Sequence, residues 1–527
     1  MLLNKNPLTL VLLFINISFI YGQKKPNILW IVCEDQSLFF SIYGDSTAHT
    51  PNIEQLAKDG TIYENCFTTS PVCSPSRSSL ITGMYPTTIG TQHMRAYKKD
   101  KKNKINKHNQ LPFYSALAKK DYKFFTEILR ANGYYCTNNS KEDYNMAKSP
   151  LAWDESSDKA HWRNRNKSQP FFSVFNFNIT HESRIWKNSK VHEENEIEKI
   201  NLPKIFPDNS EIKNDFLTNY KNIESLDNRI GNIIQQLKDD GIYDNTIIFF
   251  YSDHGGPFPR YKRSIYDTGI QCPLVIKWLN KQSERNNQMV SFIDFAPTLI
   301  DLAALKIPDY MEGVSFYKKD QRNYIYASSD RFDEFSDSRK CVRNKNFKLI
   351  LNIDTITPIG KAVNYRKQMK TMQVIDSMNK NNILDGYFNS WYQPGKEEYE
   401  FYNISNDPLE LINLISDSSY FNDISKLKTQ LHNWTEASDY GNMSEKNMIE
   451  EMFSKDFKPM KLNNPSVKKS DEGVVIYSNN SGASIGYRTN KNQSWKIIEN
   501  GDQIVSKNTF ELLMFKPGYE LFIETFE

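Results

Sequence analysis

Four stretches of the chain are apolar at nearly every position: residues 27–33, 170–177, 246–252 and 272–278. A strand with one solvated face alternates apolar and polar side chains. An unbroken apolar run of this length therefore predicts a strand covered on both faces, as in a parallel sheet. Between these runs the period lengthens. Phe216, Tyr220, Ile223, Leu226, Ile230, Ile233, Ile234 and Leu237 fall on one helical face, with Gly241 as a stop signal. Another helix is expected to begin at Asp294-Phe295-Ala296-Pro297. Strands alternating with helices predict an α/β fold on a large, mostly parallel or mixed sheet flanked by helices.

Beyond about residue 320 the elements shorten. Residues 348–351 read as a strand and 424–434 as a helix; 473–478, 483–487, 495–498 and 510–515 read as short strands divided by Asn, Gly and Ser turns. The expected organisation is a large α/β domain over 23–320, a smaller C-terminal subdomain over 321–438, and a β-rich accessory module over 439–527. Bracing of a site's rim is the default role for that module, glycan binding the alternative. At the N-terminus, Lys5, the apolar residues 8–20 and Tyr21-Gly22 read as a signal peptide over 1–22. The run is too short to span a bilayer stably. The mature protein is expected to be exported, periplasmic or secreted, and not integral to a membrane.

Composition narrows the partners. Across 527 residues, 39% apolar and 13% aromatic content suits a globular enzyme rather than a disordered chain. Lys and Arg number 66 against 63 Asp and Glu, a net charge of +3, so no basic field points to nucleic acid. The six cysteines form no CxxC pair, which argues against structural zinc. Polar residues gather just after the apolar runs: Glu34 and Asp35 after the first, His181 after the second, Asp253 and His254 after the third. Ligands in open α/β sheets bind beyond the carboxyl ends of the strands, so the three groups point to one edge. Their carboxylates suit a hard divalent cation, calcium or magnesium.

The stretch Pro71-Val72-Cys73-Ser74-Pro75-Ser76-Arg77-Ser78-Ser79-Leu80-Ile81-Thr82-Gly83 resembles the signature of type I sulfatases of the alkaline phosphatase superfamily. The resemblance implies that Cys73 is oxidised to formylglycine (3-oxoalanine) by a formylglycine-generating or anaerobic maturation enzyme, and that the aldehyde hydrate attacks the sulfur of a sulfate ester. Cys73 stands where a helix should begin with Arg77 one turn on, and a helix N-terminus and a guanidinium both favour anions. Setting Cys73 aside leaves five cysteines and at most two disulfides. Ser252-Asp253-His254-Gly255 matches a metal-binding turn of the family, which implies one Ca2+ held by Glu34, Asp35, Asp253, His254 and position 73; Glu34 stands where Asp is usual. Lys262-Arg263-Ser264-Ile265-Tyr266-Asp267 resembles the segment whose Lys contacts sulfate, with Arg263 as competitor for that role. Gly133-Tyr134-Tyr135-Cys136 followed by Lys141 resembles a second sulfate-contacting stretch, in which Ser140 replaces Gly and Asp143 replaces His. Asp143 is then either the base that expels sulfate or a structural substitution. His181, in Thr180-His181-Glu182, is the expected general acid. Residues 399–410 resemble the family's closing segment, which implies a small antiparallel sheet with a helix.

The expected reaction is covalent catalysis by a sulfuric ester hydrolase, one hard step split into two. His93 and Arg95, close behind the signature, and Asp330 and Arg331 are candidates for substrate binding, whereas Asp333 reads equally well as surface charge. The combined motifs resemble polysaccharide sulfatases of marine Bacteroidetes, so a sulfated polysaccharide or oligosaccharide is the expected substrate, ulvan first and glycosaminoglycans next. The alternatives are a sulfamidase, a phosphonate or phosphate monoesterase, and a catalytically silent glycan-binding relative.

Overall fold

The strand Asn27–Cys33 (β1) lies at the centre of an eight-stranded sheet and is buried along its whole length. The other strands are Thr61–Phe67 (β2), Tyr135–Asn139 (β3), Glu155–Ser156 (β4), Phe171–Phe177 (β5), Thr246–Ser252 (β6), Gln271–Lys277 (β7) and Glu284–Ser291 (β8), in the order β4-β3-β5-β1-β6-β7-β2-β8. This computed structural model describes residues 25–98, 104–107, 109–317, 322–453, 459–470, 473–504 and 509–527, so the signal peptide expected over 1–22 lies outside the described residues.

The unbroken apolar runs have the cause their pattern implied. Leu29, Ile31 and Cys33 of β1 point into one apolar layer, and Ile28, Trp30 and Val32 into the other. The first layer is closed by the helix Ser210–Asp239, whose Ile212, Phe216, Ile223, Leu226, Ile230 and Leu237 are buried. Asn209 starts that helix by accepting the N–H groups of Glu211 and Ile212 on its side chain. The second layer is closed by the helices Phe125–Ala131 and Phe295–Leu302.

Seven strands run in one direction and β7 runs against them, antiparallel to both β6 and β2. The fourth apolar run is therefore a reversed strand in a mixed sheet. Residues 253–270 hold only a one-turn helix, Asp267–Ile270, and stay at the edge where β6 ends, so β7 must start from that edge.

A four-stranded antiparallel sheet follows, built from Ile325–Phe332 (β9), Phe335–Arg343 (β10), Phe347–Asn352 (β11) and Tyr399–Asn403 (β12), with the helix Phe421–Ala437 packed across it through Ile424, Leu427, Leu431 and Trp434. The helix Glu445–Met452 then packs against Ala96, Tyr114 and Ala116; a region read as β-rich thus begins with a helix. Beyond it stand Ser466–Ser470 (β13), Gly473–Tyr477 (β14), Ser484–Arg488 (β15), Lys496–Ile498 (β16), Gln503–Ile504 (β17), Phe510–Phe515 (β18) and Phe522–Phe526 (β19). They form two small sheets, β13-β14-β17 and β16-β15-β18-β19. All six cysteines are buried and unpaired, so neither of the bridges that five spare cysteines would allow is formed. Among the described residues, no helix is long and apolar enough to cross a membrane.

Candidate active site

Register brings three strand ends level: Cys33 lies beside Phe177 of β5 and Ser252 of β6. The residues that follow them, Glu34-Asp35, His181-Glu182 and Asp253-His254, consequently meet at one edge of the sheet. Cys73 reaches the same place as the first residue of the helix Cys73–Thr82, every residue of which is buried.

One ligand atom each from Asp35, Cys73, Asp253 and His254 lies within 4.8 Å of the others. His254 Nε2 is 3.1 Å from Asp35 Oδ1 and 3.3 Å from Cys73 Sγ. Asp35 holds its backbone in the left-handed region at φ 55, a conformation Asp tolerates better than most residues and one that concentrates at functional sites. Its Oδ2 accepts the Glu182 N–H, and its own N–H donates to Asp253 Oδ1. Burial favours the neutral form of both carboxyls. Lys262, His181 and His254 outweigh it at Asp35, and His254 and Arg77 at Asp253, holding both well below the usual carboxylate range. Burial likewise disfavours a charged His254, yet Asp253, Cys73 and Asp35 raise it to about 10.

This donor set fits a hard cation. The oxygens of Asp35 and Asp253 converge with one imidazole and the Cys73 sulfur, with Glu34 next to Asp35 in the chain. The Cys73 thiol is the one soft donor present; an oxygen at that position would complete the set.

A ring of cations surrounds these carboxylates. Arg77 Nε donates to Asp253 Oδ2 at 3.0 Å and Nη1 to Asn176 Oδ1 at 2.7 Å. Lys141 Nζ stands 3.2 Å from Glu34 and 3.7 Å from Asp143. Lys262 Nζ donates to both oxygens of Asp35 and lies 3.1 Å from Glu182. Lys262 also approaches His181 Nε2 at 3.3 Å. The Ser183 N–H donates to His181 Nδ1, whose other neighbour is the Ser183 hydroxyl at 2.9 Å, so the ring is held with Nε2 facing Lys262 and the cluster. Burial and then Lys262 lower the pKa of His181.

The remaining sequence candidates lie further out. Arg263 turns away from the centre to pair with Glu182 and Asp333, and Arg95, half exposed, stands 3.9 Å from Asp333. His93 is buried, its Nδ1 accepting the Arg331 N–H. The Arg331 guanidinium is taken by Glu445, and Asp330 by Lys340 and Ser338. Asn176, Glu182 and Ser76, whose Oγ donates to the Asp253 carbonyl, were not singled out from the sequence. Asn176 had a visible signal, a polar residue interrupting the apolar end of a strand.

A family model described as sulfatase matches residues 26–305, and one described as the C-terminal part of N-sulphoglucosamine sulphohydrolase matches 258–373. An ulvan-active sulfatase of Formosa agariphila is 37% identical over 94% of this chain and 90% of its own length. Human N-sulphoglucosamine sulphohydrolase is 22% identical over 82% of this chain and 95% of its own. A protein solved with its substrate D-glucosamine-2-N,6-O-disulfate superposes with a TM-score of 0.55 at 16% identity, covering 80% of this chain and all of that one. The phosphonate monoester hydrolase of Agrobacterium radiobacter gives 0.53 at 15% identity, covering 77% of this chain and 96% of its own. At such identities the likeness of these two structures shows a shared fold.

Proposed function

The chain belongs to the sulfatase family and is a sulfuric ester hydrolase, and from that premise we propose that it is exported and removes sulfate from a sulfated polysaccharide or oligosaccharide, ulvan foremost. The observation that carries the reading is the position of Cys73, at a helix start with its Sγ inside a buried group of Asp35, Asp253 and His254. Ulvan is favoured because the relative with 37% identity over nearly the whole chain is an ulvan-active sulfatase. Residues 1–22 support export.

In this reading Glu34, Asp35, Asp253, His254 and position 73 hold one calcium ion. Calcium, when bound, supplies positive charge for the anionic substrate, and oxidation of Cys73 to formylglycine supplies a hydrated aldehyde as nucleophile. The chain's own residues do the rest. Arg77, Lys141 and Lys262 form three sides of a cationic seat for the sulfate group, each held in place by a carboxylate of the metal set. His181 passes a proton from Nε2 to the departing sugar oxygen. Asp143, 3.7 Å from Lys141, takes the proton in the step that releases sulfate. Arg95, half exposed beside Asp333, meets the substrate on that side.

The test has two parts. The peptide spanning Cys73, from protein made with a formylglycine-generating enzyme, is weighed for conversion of thiol to aldehyde. Sulfate release is then measured on ulvan oligosaccharides. A thiol that persists while a control sulfatase is converted sinks the nucleophile; conversion with no release from ulvan moves the substrate elsewhere. The match of residues 258–373 favours a second reading, cleavage of N-sulfate from glucosamine, which the same assay on N-sulfated and O-sulfated glucosamine separates.

A further inference from the structure

Lys262 and Arg263 also line a cavity of about 50 Å³. A single water needs roughly 10–15 Å³ on this measure, so there is room for more than one. Six cationic side chains line it (Arg260, Lys262, Arg263, Arg339, Lys361 and Arg366) against two carboxylates, Asp330 and Asp337.

Most of that charge is already spent. Lys262 and Arg263 are held by Asp35, Glu182 and Asp333, and Arg339 by Glu400 at 2.8 Å. Asp330 is taken by Lys340 at 2.7 Å. Asp337 serves Lys396 at 2.6 Å and reaches Lys361 only at 3.7 Å. Arg260 lies between the rings of Tyr266 and Tyr387, at 4.0 and 4.4 Å, where cation–π attraction compensates it in part.

Arg366 is different. It is 4% exposed, stacks on Trp391 at 5.0 Å, and donates from Nη2 to the Lys361 carbonyl. No carboxylate pairs with it among the described residues, and its Nε is buried without a hydrogen-bond partner. Two more donors on the same wall are buried without one, Lys361 Nζ and Ser264 Oγ. A buried guanidinium with no carboxylate paired to it is costly to keep, and burial together with Arg263 lowers its pKa to about 10 against the more distant pull of Glu182 and Asp333. Three unspent donors around one small space, one of them a fork, match the oxygens of a single oxyanion.

We propose that this cavity is a second anion site, next to the catalytic centre and distinct from it, that takes one sulfate or carboxylate group on Arg366, Lys361 and Ser264. The oxyanion is either free in solution or carried by a sugar bound at the neighbouring centre, as a uronate or a second sulfate. Only the latter source rests on the proposed reaction.

The closing experiment titrates inorganic sulfate against thermal unfolding of the full chain, with Arg77→Ala to weaken the catalytic seat and Arg366→Met or Ser264→Ala to weaken this one. Sulfate should still stabilise Arg77→Ala protein. In that background Arg366→Met should weaken the apparent affinity about tenfold or more, the loss of a charge-assisted hydrogen bond, Ser264→Ala should weaken it less, and Arg366→Lys should restore part of it. Steady-state kinetics then assign the source. A KM that rises for a uronate-bearing sulfated oligosaccharide but not for an aryl sulfate makes the anion part of the substrate; two unchanged KM values make it a free ion. A sulfate response in the Arg77→Ala background that Arg366→Met and Ser264→Ala leave untouched, or no such response at all, overturns the site. The thermal arm reads even if the chain proves inactive on every sulfate ester.

Discussion

His181 is held by Ser183 with Nε2 facing the cluster, and as the proposed general acid its weight depends on how much the leaving oxygen needs a proton. A sugar alkoxide needs one and a nitrophenolate does not. His181→Ala is therefore expected to lower kcat by about 10²- to 10⁴-fold on a sulfated sugar and far less on p-nitrophenyl sulfate. Equal losses on both would make His181 a positioning residue. Gly255 offers a prediction from close approach alone. A Cβ there would sit 2.2 Å from the Thr268 carbonyl, and the Gly255 N–H already donates to Gly269. Gly255→Ala should cost about 1–3 kcal/mol in urea unfolding and displace the adjoining Asp253-His254 pair, lowering activity as well; an unchanged midpoint would show the turn can yield. At this scale the sequence exposed Cys73, Arg77, Asp253 and His254, since their chemistry is packed into short motifs. It hid Glu182 and Asn176, because their work is defined by partners far along the chain: Glu182 binds Arg263, 81 residues on, and Asn176 binds Arg77, 99 residues back.

Whole elements were legible where burial wrote a pattern. β1 and β6 occupy the apolar runs end to end, and the long helix extends the expected face by one to two turns in the N-terminal direction. The direction of β7 was not legible, since a reversed strand buried on both faces carries the same apolar run as a parallel one; only the connection through 253–270 decides it. The helix Glu445–Met452 was missed because two turns give too short a period. What fixes it is ionic. Glu445 takes both Nε and Nη2 of Arg331, the two side chains being nearly fully buried. Burial opposes ionisation of Glu445, but His93 and Arg331 lower it to about 2 from an ordinary 4.5. A depressed carboxyl adds stability above its unfolded pKa and loses it as pH falls. Glu445→Gln, which strands the Arg331 charge, is expected to cost about 3–5 kcal/mol at neutral pH. The gap between wild type and variant should close as pH drops from about 4.5 towards 2. A gap that does not change with pH would mean the helix is held by packing alone.

Across the whole molecule, the C-terminal sheets reach the candidate site through β18, which is apolar on both faces. Phe510, Leu512 and Met514 fill the core of the tail itself, while Leu513 and Phe515 turn outward onto Leu151. Polar ties reinforce that seam. Arg130 donates to the Trp495 carbonyl at 2.6 Å and to Asp154 at 2.7 Å, and Ser484 binds the buried Glu127. Glu127 and Arg130 belong to the helix Phe125–Ala131 that leads into β3, and β3 delivers Lys141 to the cation ring. Bracing, the default expected of the tail, thus has a physical route. Leu513→Ala would open a cavity on the seam and is expected to cost about 2–5 kcal/mol. If the tail acts as a brace, calorimetry should resolve an early transition ahead of the main one, because the tail keeps its own apolar core when the seam weakens. Between that first transition and the main one KM should rise with kcat little changed, since Lys141 is proposed to hold sulfate rather than move protons. A single transition shifted down as a whole would make tail and sheet one cooperative unit. An early transition with KM unaffected would separate the tail from the site altogether and return it to the alternative role of binding glycan.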